Sequence, residues 1–140
     1  MEKWHSTTGT LKYFEAENHY NVVAEVDQGI VEFYRSLIPK YLCVNKPRYK
    51  AHITVVRSYK EVPKDFTAWR KHQGKTINFK YNSYIYNNTN QDNKMYYWLN
   101  ALSTDLEHIR EELGLTNQFF NDELPKGYKK FFHITLGNRI

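Results

Sequence analysis

The chain has 140 residues, of which 41% are hydrophobic, 25% charged and 16% aromatic, and its formal net charge at neutral pH is +5. This length and aromatic content predict one folded domain, residues 1–140, and the absence of an apolar run of about 18 residues or of an apolar amino-terminal stretch predicts neither a membrane span nor a signal peptide. The single cysteine, Cys43, excludes an internal disulfide and favours a cytoplasmic protein, while the basic excess favours anionic partners such as nucleotides or RNA.

The first half of the chain predicts a strand, a helix and a second strand. Residues 20–26 have the valine-rich composition of a strand, and Asp27 can cap the helix that follows and ends at Pro39. The apolar positions of this helix fall at helical spacing and are Ile30, Phe33, Tyr34 and Leu37. The second strand covers 50–57, and a short helical segment is predicted around Trp69.

The second half predicts further strands around one helix. Residues 76–81 alternate as a strand should, 84–86 can pair with them, 87–93 form a polar loop, and 95–99 form the next strand. A helix then begins with a capping box, Thr104–Glu107, and ends at Gly114. Its apolar stripe is Leu102, Leu106, Ile109 and Leu113. A loop over 115–130 leads to a final strand over 131–136.

The order of these elements predicts the fold class. A strand, helix and strand at each end flank a middle region of strands, so the two ends resemble each other in architecture. This pattern favours an α+β domain made of two similar lobes.

A tetrapeptide pattern occurs on the closing strand of each half. The first copy is His52-Ile53-Thr54-Val55 and the second is His133-Ile134-Thr135-Leu136. Because side chains alternate along a strand, each His and Thr share one face while the aliphatic residues share the other. The aliphatic face anchors the strand to the core. If the halves pack about a pseudo-twofold axis, both polar pairs line one groove.

Two imidazoles across a groove suit phosphodiester chemistry. A neutral histidine can accept a proton from an attacking hydroxyl while a protonated one donates a proton to the leaving oxygen, and histidine alone has an ordinary pKa near neutral pH. The threonine hydroxyls, Thr54 and Thr135, can donate hydrogen bonds to the non-bridging phosphate oxygens. The catalytic candidates are therefore His52, Thr54, His133 and Thr135. No metal or other cofactor is required if the substrate supplies its own neighbouring 2′-hydroxyl or a cyclic phosphate.

Two other interpretations of the motif remain open. The first is that two unrelated strands carry His and Thr on solvent-facing positions. The second is a metal site, for which the motifs supply only two good ligands, whereas structural zinc takes four. The remaining histidines, His5, His19, His72 and His108, show no partner pattern.

The motifs and the element order around them resemble those of the 2H phosphoesterase superfamily, which is named for two His-x-Thr/Ser motifs. The match rests on His52-Ile53-Thr54 and His133-Ile134-Thr135. The superfamily includes LigT-like proteins, cyclic phosphodiesterases, phage RNA-repair-like proteins and phage phosphodiesterases that destroy cyclic oligonucleotide immune signals. The small size of the chain is similar to that of the phage branches.

This resemblance implies a bilobal α+β fold, in which two pseudo-symmetric lobes of antiparallel strands with flanking helices enclose a central groove. It also implies a metal-independent phosphodiesterase with the two histidines as acid and base. It implies a cyclic oligonucleotide signal, a 2′,3′-cyclic phosphate or an RNA phosphodiester as the substrate. Aromatic residues that sandwich bases in the immune-evasion branch suggest Tyr13 and Trp69 for that role, although core packing is the alternative. Lys12 and Arg57 are candidates to contact phosphate, with ordinary solvated charges as the alternative.

A second functional class also fits the sequence. The chain can be a module that sequesters nucleotides or RNA without turning them over, with the His and Thr groups acting only as phosphate donors. RNA ligation by simple reversal is a third possibility, without a glycine-rich nucleotide-activation loop. No membrane or protein partner is predicted, the expected state is a monomer or small homo-oligomer, and the expected location is the cytoplasm, that of the host if the source is viral.

Overall fold

A computed structural model of the chain describes residues 3–17, 19–89, 94–117 and 132–139. The strands are β1 (Trp4–Ala16), β2 (His19–Glu25), β3 (His52–Val56), β4 (Thr76–Thr89), β5 (Met95–Leu102) and β6 (Phe132–Arg139). The α-helices are α1 (Gln28–Ser36) and α2 (Thr104–Glu112), and a short 3-10 helix covers Lys40–Leu42.

The strands form a closed antiparallel barrel in the order β1-β2-β3-β6-β5-β4. Each half of the chain contributes two strands, a helix and a third strand, in that order. The α+β class is therefore confirmed. The predicted two lobes are not seen as separate sheets, because the halves are joined along two seams, where β3 pairs with β6 and β1 pairs with β4.

The hydrophobic core lies between the helices and one face of the sheet. The fully buried side chains of Ile53 and Val55 in β3 and of Ile134 and Leu136 in β6 belong to this core. Helix α1 packs on β6, whereas α2 packs on β3 and β4. Each helix therefore contacts the motif-bearing strand of the other half, and among the described residues no helix covers the opposite face of β3 and β6.

Helix α1 begins as predicted but turns a partly different face to the core. The side chain of Asp27 accepts a hydrogen bond from the Gly29 amide, the N-cap arrangement that the sequence predicts. Two of the four predicted apolar positions are confirmed, since Tyr34 is buried and Ile30 packs against the core. Phe33 and Leu37 are wrong, because both are exposed, and Val31 and Ile38 are buried in their stead.

Helix α2 is capped one residue earlier than predicted. The Ser103 hydroxyl accepts a hydrogen bond from the Leu106 amide, so the predicted capping box at Thr104 is wrong. Leu106, Ile109 and Leu113 are buried as predicted, but Leu102 belongs to β5 and is partly exposed. Gly114, at φ +74°, takes the predicted left-handed position. In the part of the chain that the structure describes, no helix has the length and apolar character to span a membrane.

Three further segments differ from the prediction. Strand β1 was not predicted at all, although its buried residues Leu11 and Tyr13 alternate with the more exposed Lys12 and Phe14, as in a strand. The segment around Trp69 consists of turns rather than a helix. Residues 84–86 continue β4 instead of pairing with 76–81. Most of the predicted loops over 87–93 and 115–130 lies outside the described residues.

Candidate active site

The two motifs meet at the seam between β3 and β6. Ile53 pairs with Ile134 in antiparallel register. Continuing that register by one residue in each direction sets His52 opposite Thr135 and Thr54 opposite His133. Cross-strand neighbours on one face of an antiparallel pair have Cβ atoms about 5 Å apart. The four polar side chains of the motifs therefore form one diagonal cluster, here called the His–Thr quartet.

The quartet faces a cavity. Ile53 and Ile134 are fully buried on the core side, while the quartet residues lie on the opposite face and keep contact with solvent. All four line one cavity of about 710 Å³. The structure therefore brings together the four catalytic candidates predicted from the sequence.

A β-bulge follows the first motif. Consecutive residues of β2 pair with Thr54 and Val56, so Val55 is an extra residue without a partner in that ladder. One extra residue shifts the in-and-out alternation, and Val55 and Val56 are both fully buried. The shift brings Arg57, rather than Val56, to the cavity with the quartet. The predicted phosphate-contact candidate Arg57 thus lies beside the motif.

The second motif is followed by the same irregularity. Tyr97 and Trp98, consecutive residues of β5, pair with Gly137 and Thr135, which leaves Leu136 as the extra residue. Leu136 is fully buried. The two bulges therefore occupy the same position in the two halves, immediately after the threonine.

The imidazole of His52 is held by the backbone. Its Nδ1 lies 2.6 Å from the carbonyl oxygen of Lys50. A carbonyl oxygen can only accept a hydrogen bond, so Nδ1 carries a proton. This contact fixes the tautomer of the neutral ring and leaves Nε2 as the nitrogen available for proton exchange.

The imidazole of His133 lines the cavity, where many protein atoms lie around it, although the residue is exposed to solvent. Desolvation lowers the pKa of His133 to about 4, and the positive charges of His52 and Arg57 act in the same direction. At neutral pH the His133 ring is therefore uncharged. A positive charge on the His52 ring therefore disfavours a proton on His133.

The cavity combines basic and aromatic walls. Lys50, Arg57 and Lys60 supply the positive charge, and the Arg57 guanidinium is oriented by a 3.3 Å contact with the Glu61 carboxylate. The aromatic side chains that line the cavity are Phe14, Tyr49, Tyr96, Tyr97 and Trp98. Such a cavity can hold a ligand that carries both phosphate and flat rings.

Three sequence candidates do not line this cavity. Tyr13 is a buried core residue, and Trp69 packs edge-on against it with ring centroids 5.1 Å apart. Lys12 is paired with Glu25 at 3.1 Å. The base-stacking positions suggested for Tyr13 and Trp69 therefore correspond to packing, the alternative that the sequence also offered. Phe14 was missed, although strand alternation places it on the face opposite Tyr13.

The remaining histidines have partners that the sequence did not reveal. His19 Nδ1 lies 2.8 Å from the Ser58 hydroxyl, and His72 Nε2 lies 3.0 Å from a Glu112 carboxylate oxygen. The ring of His5 lies against the ring of Tyr81, and His108 Nδ1 lies 3.6 Å from a Glu111 carboxylate oxygen. Over the described residues, no group of three or more His, Cys, Asp or Glu side chains is arranged to hold a metal ion.

Comparison with known proteins places the chain in a family. The model of the Swiss Army Knife 2H phosphoesterase domain matches residues 24–140, which is most of the chain and includes both motifs. The protein belongs to this 2H phosphoesterase family, whose members in general hydrolyse phosphodiesters. Neither curated proteins nor solved structures gave a match.

Proposed function

We propose that this protein is a metal-independent phosphodiesterase acting on ribonucleotides, with the His–Thr quartet as its catalytic centre. The observation that carries the proposal is the pairing of Ile53 with Ile134. This pairing joins two motifs that are distant in sequence into one polar cluster on a cavity. Neither motif alone supplies both an acid and a base.

The protonation of the two rings supports a division of labour. His133 is neutral at physiological pH because desolvation, His52 and Arg57 lower its pKa, which suits a general base. We assign the general acid to His52, whose Nδ1–H is bound to the Lys50 carbonyl so that Nε2 is the nitrogen left to exchange a proton with the substrate. Two groups with these different environments can act in one step at the same phosphorus.

The reaction follows from these roles. His133 accepts the proton of the nucleophile, either water or a ribose 2′-hydroxyl, as its oxygen bonds to phosphorus. The bond from phosphorus to the leaving oxygen breaks, and His52 donates its proton to that oxygen. Thr54 and Thr135 donate hydrogen bonds to the non-bridging oxygens, where charge builds up in the transition state. Proton exchange with solvent restores the starting state.

The cavity walls support a nucleotide substrate. Lys50, Arg57 and Lys60 supply the charge that attracts phosphates, and the exposed ring of Phe14 offers a face for a base. A volume of about 710 Å³ has room for more than a phosphate group. We therefore propose a cyclic oligonucleotide signal, a 2′,3′-cyclic phosphate or an RNA phosphodiester as the substrate, encountered in the cytoplasm.

Incubation with a substrate panel tests this function. The panel holds cyclic dinucleotides, cyclic trinucleotides and 2′,3′-cyclic mononucleotides, incubated in EDTA and separated by chromatography. The expected result is cleavage of at least one member at an unchanged rate in the chelator. A ligand that binds but is recovered intact after prolonged incubation would show a sequestering module. Activity that EDTA abolishes and zinc or manganese restores would overturn the metal-free mechanism.

A further inference from the structure

The bulge on β6 is held by an arginine from the other side of the core. Arg35 lies in the last turn of α1, and its Nη1 donates a 2.7 Å hydrogen bond to the carbonyl of Leu136, the bulged residue. The same guanidinium donates to the carbonyls of Val44 and Asn45 at 2.9 and 3.0 Å. One side chain thus joins the second motif strand to the loop that follows α1.

The bulge on β3 has a matching arginine. Arg110 lies in the last turn of α2, and its Nη1 donates a 2.7 Å hydrogen bond to the carbonyl of Val55. Its Nε and Nη2 donate to the carbonyl of Thr116 at 3.0 and 2.6 Å, in the segment that follows α2. Glu61 pairs with the same guanidinium, which is only 2% exposed.

These two contacts are equivalent in the two halves. Each arginine comes from the last turn of its helix, crosses to the motif strand of the other half, and binds the carbonyl one residue after the motif threonine. A bulge takes a carbonyl out of the regular ladder, and a buried carbonyl then needs another donor. A guanidinium can serve a strand and a loop together because it has several donors in one rigid plane.

We propose that Arg35 and Arg110 are positioning residues of the active site, each bracing the bulge that aims one His-x-Thr motif into the cavity. The inference rests on the proposed function for its effect on catalysis. The bracing itself rests only on the hydrogen bonds and the bulges. Neither arginine lines the cavity: Arg35 contacts backbone carbonyls, and Arg110 contacts carbonyls and the Glu61 carboxylate. Both therefore act through the orientation of the motif side chains.

Gly137 supports this assignment for the second motif. The residue has φ +152°, and a Cβ built there would collide with the carbonyl oxygen of Asn45 and come within 2.6 Å of Arg35 Nη1. A glycine at 137 thus leaves room for the Arg35 guanidinium to pass close to the backbone of β6. A side chain at 137 would displace Arg35 from Leu136.

The experiment compares Arg35→Met, Arg35→Lys and Arg110→Lys with a control, Arg70→Met. Arg70 also contacts a carboxylate and a backbone carbonyl, at Glu15 and Tyr13, but it lies away from both motifs. Arg110→Lys keeps a positive charge beside Glu61, so the variant can fold. The readouts are kcat and KM on a substrate identified in the panel, the melting temperature, and the proton NMR titrations of His52 and His133.

Misorientation of the motif side chains lowers kcat more than it weakens substrate binding. We expect kcat to fall about 10- to 100-fold in Arg35→Met, with KM within about threefold and a smaller fall in Arg35→Lys. Arg110→Lys should lose kcat in the same way, and Arg70→Met should match the wild type. The His133 titration should shift in Arg35→Met but not in the control.

Two results would overturn the proposal. The first is a wild-type kcat in both folded Arg35→Met and Arg110→Lys. The second is a lower melting temperature with unchanged kcat and unchanged histidine titrations. That result would show that the arginines stabilise the loops without orienting the motifs. If the wild type cleaves nothing in the panel, the proposed function fails instead. In that case the histidine titrations test by themselves whether the arginines orient the motifs. A shift of the His133 titration in Arg35→Met supports this role, and identical titrations in all variants overturn it.

Discussion

Ile53 and Ile134 are cross-strand partners, and both side chains are fully buried. Strand alternation then sends the histidine and threonine on either side of each isoleucine to the opposite face. A slip of one residue would bury the histidines and expose the isoleucines, at a large cost in hydrophobic burial. The core register of this single pair therefore determines the geometry of the His–Thr quartet.

Replacing either histidine should remove activity without unfolding the protein. Both rings lie on the cavity face, so His52→Ala and His133→Ala leave the core intact while each removes one proton-transfer group. We expect a fall in kcat of about 10²- to 10⁴-fold for each. Circular dichroism checks the fold, and His108→Ala, on the exposed face of α2, is the control. Full activity in both motif variants would refute the assignment.

Replacing a motif threonine tests charge stabilisation in the transition state. Thr54→Val and Thr135→Val keep the shape but remove the hydroxyl donor, and loss of one such donor costs about 10²- to 10³-fold in kcat. The serine variants keep the donor and should retain most of the activity. Steady-state kinetics on the best panel substrate make the comparison. Equal rates for the valine and serine variants would show that the hydroxyls do not contact the phosphate.

Acidification should destabilise the protein through His133. Desolvation, with the charges of His52 and Arg57, lowers the pKa of His133 to about 4 in the folded state. The ordinary value is near 6.5, so between these values the unfolded chain binds more protons and stability falls as pH falls. His133→Gln should flatten this dependence.

Urea titrations at pH 4.5 and 7 measure the effect. Other groups, including Glu61, contribute equally to the wild type and to His133→Gln, so the difference between them isolates His133. His108→Gln should run parallel to the wild type. A wild-type slope in His133→Gln would show that the pKa of His133 is close to its ordinary value in the folded protein.

Phe14 should contribute to substrate binding rather than to chemistry. The ring lines the cavity but remains 47% exposed, so its loss costs little folding energy. Phe14→Ala should raise KM several-fold with little change in kcat, since base stacking on an aromatic ring contributes about 1–3 kcal/mol. Phe33→Ala removes a ring on α1 that is 57% exposed and does not line the cavity. Equal KM values in the two variants would exclude a binding role for Phe14.

The Glu61–Arg110 pair should be important for stability. Burial raises the pKa of the Glu61 carboxyl, but hydrogen bonds from Arg110 and Arg57 outweigh it and hold the pKa below its ordinary value. Glu61→Ala removes the carboxylate from a buried guanidinium, which then keeps backbone carbonyls as acceptors for its charge, and should lower the free energy of unfolding by about 3–5 kcal/mol. Glu15→Ala breaks an exposed pair with Arg70 and should cost about 0–1 kcal/mol. Chemical denaturation distinguishes the two, and equal losses would contradict this expectation.

Local sequence signals predicted most of the helices and strands, but not how the strands close into a barrel. Asp27, the β2 valines and the Leu106–Leu113 stripe act through short-range periodicity and capping, and these predictions were confirmed in outline. Strand β1 was missed because its first half is polar. Its strand pattern becomes recognisable only over 11–14, where the buried Leu11 and Tyr13 alternate with Lys12 and Phe14. Closure of the barrel depends on pairing between β1 and β4, which no local pattern encodes.

The candidate site was predictable from repetition, and its surroundings were not. Two identical His-Ile-Thr segments on strands predict a shared face, because alternation has a fixed period. The bulges at Val55 and Leu136 break that period. Gly137 is a signal for the second bulge, because a glycine inside a strand often accompanies one, but no such residue follows Val55. The arginines that bind these carbonyls come from distant helices, so their role depends on tertiary packing alone.

The crossed packing of the helices ties each half to the other. Helix α1 covers β6 of the second half, and α2 covers β3 of the first half. If the halves separated, each motif strand would therefore lose the helix that covers it. A chain cut in the segment between β3 and β4 would yield two pieces, each with one motif and neither with a complete centre. Turnover would return only on reassociation, so the catalytic rate of a split protein would report directly on how tightly its pieces recombine.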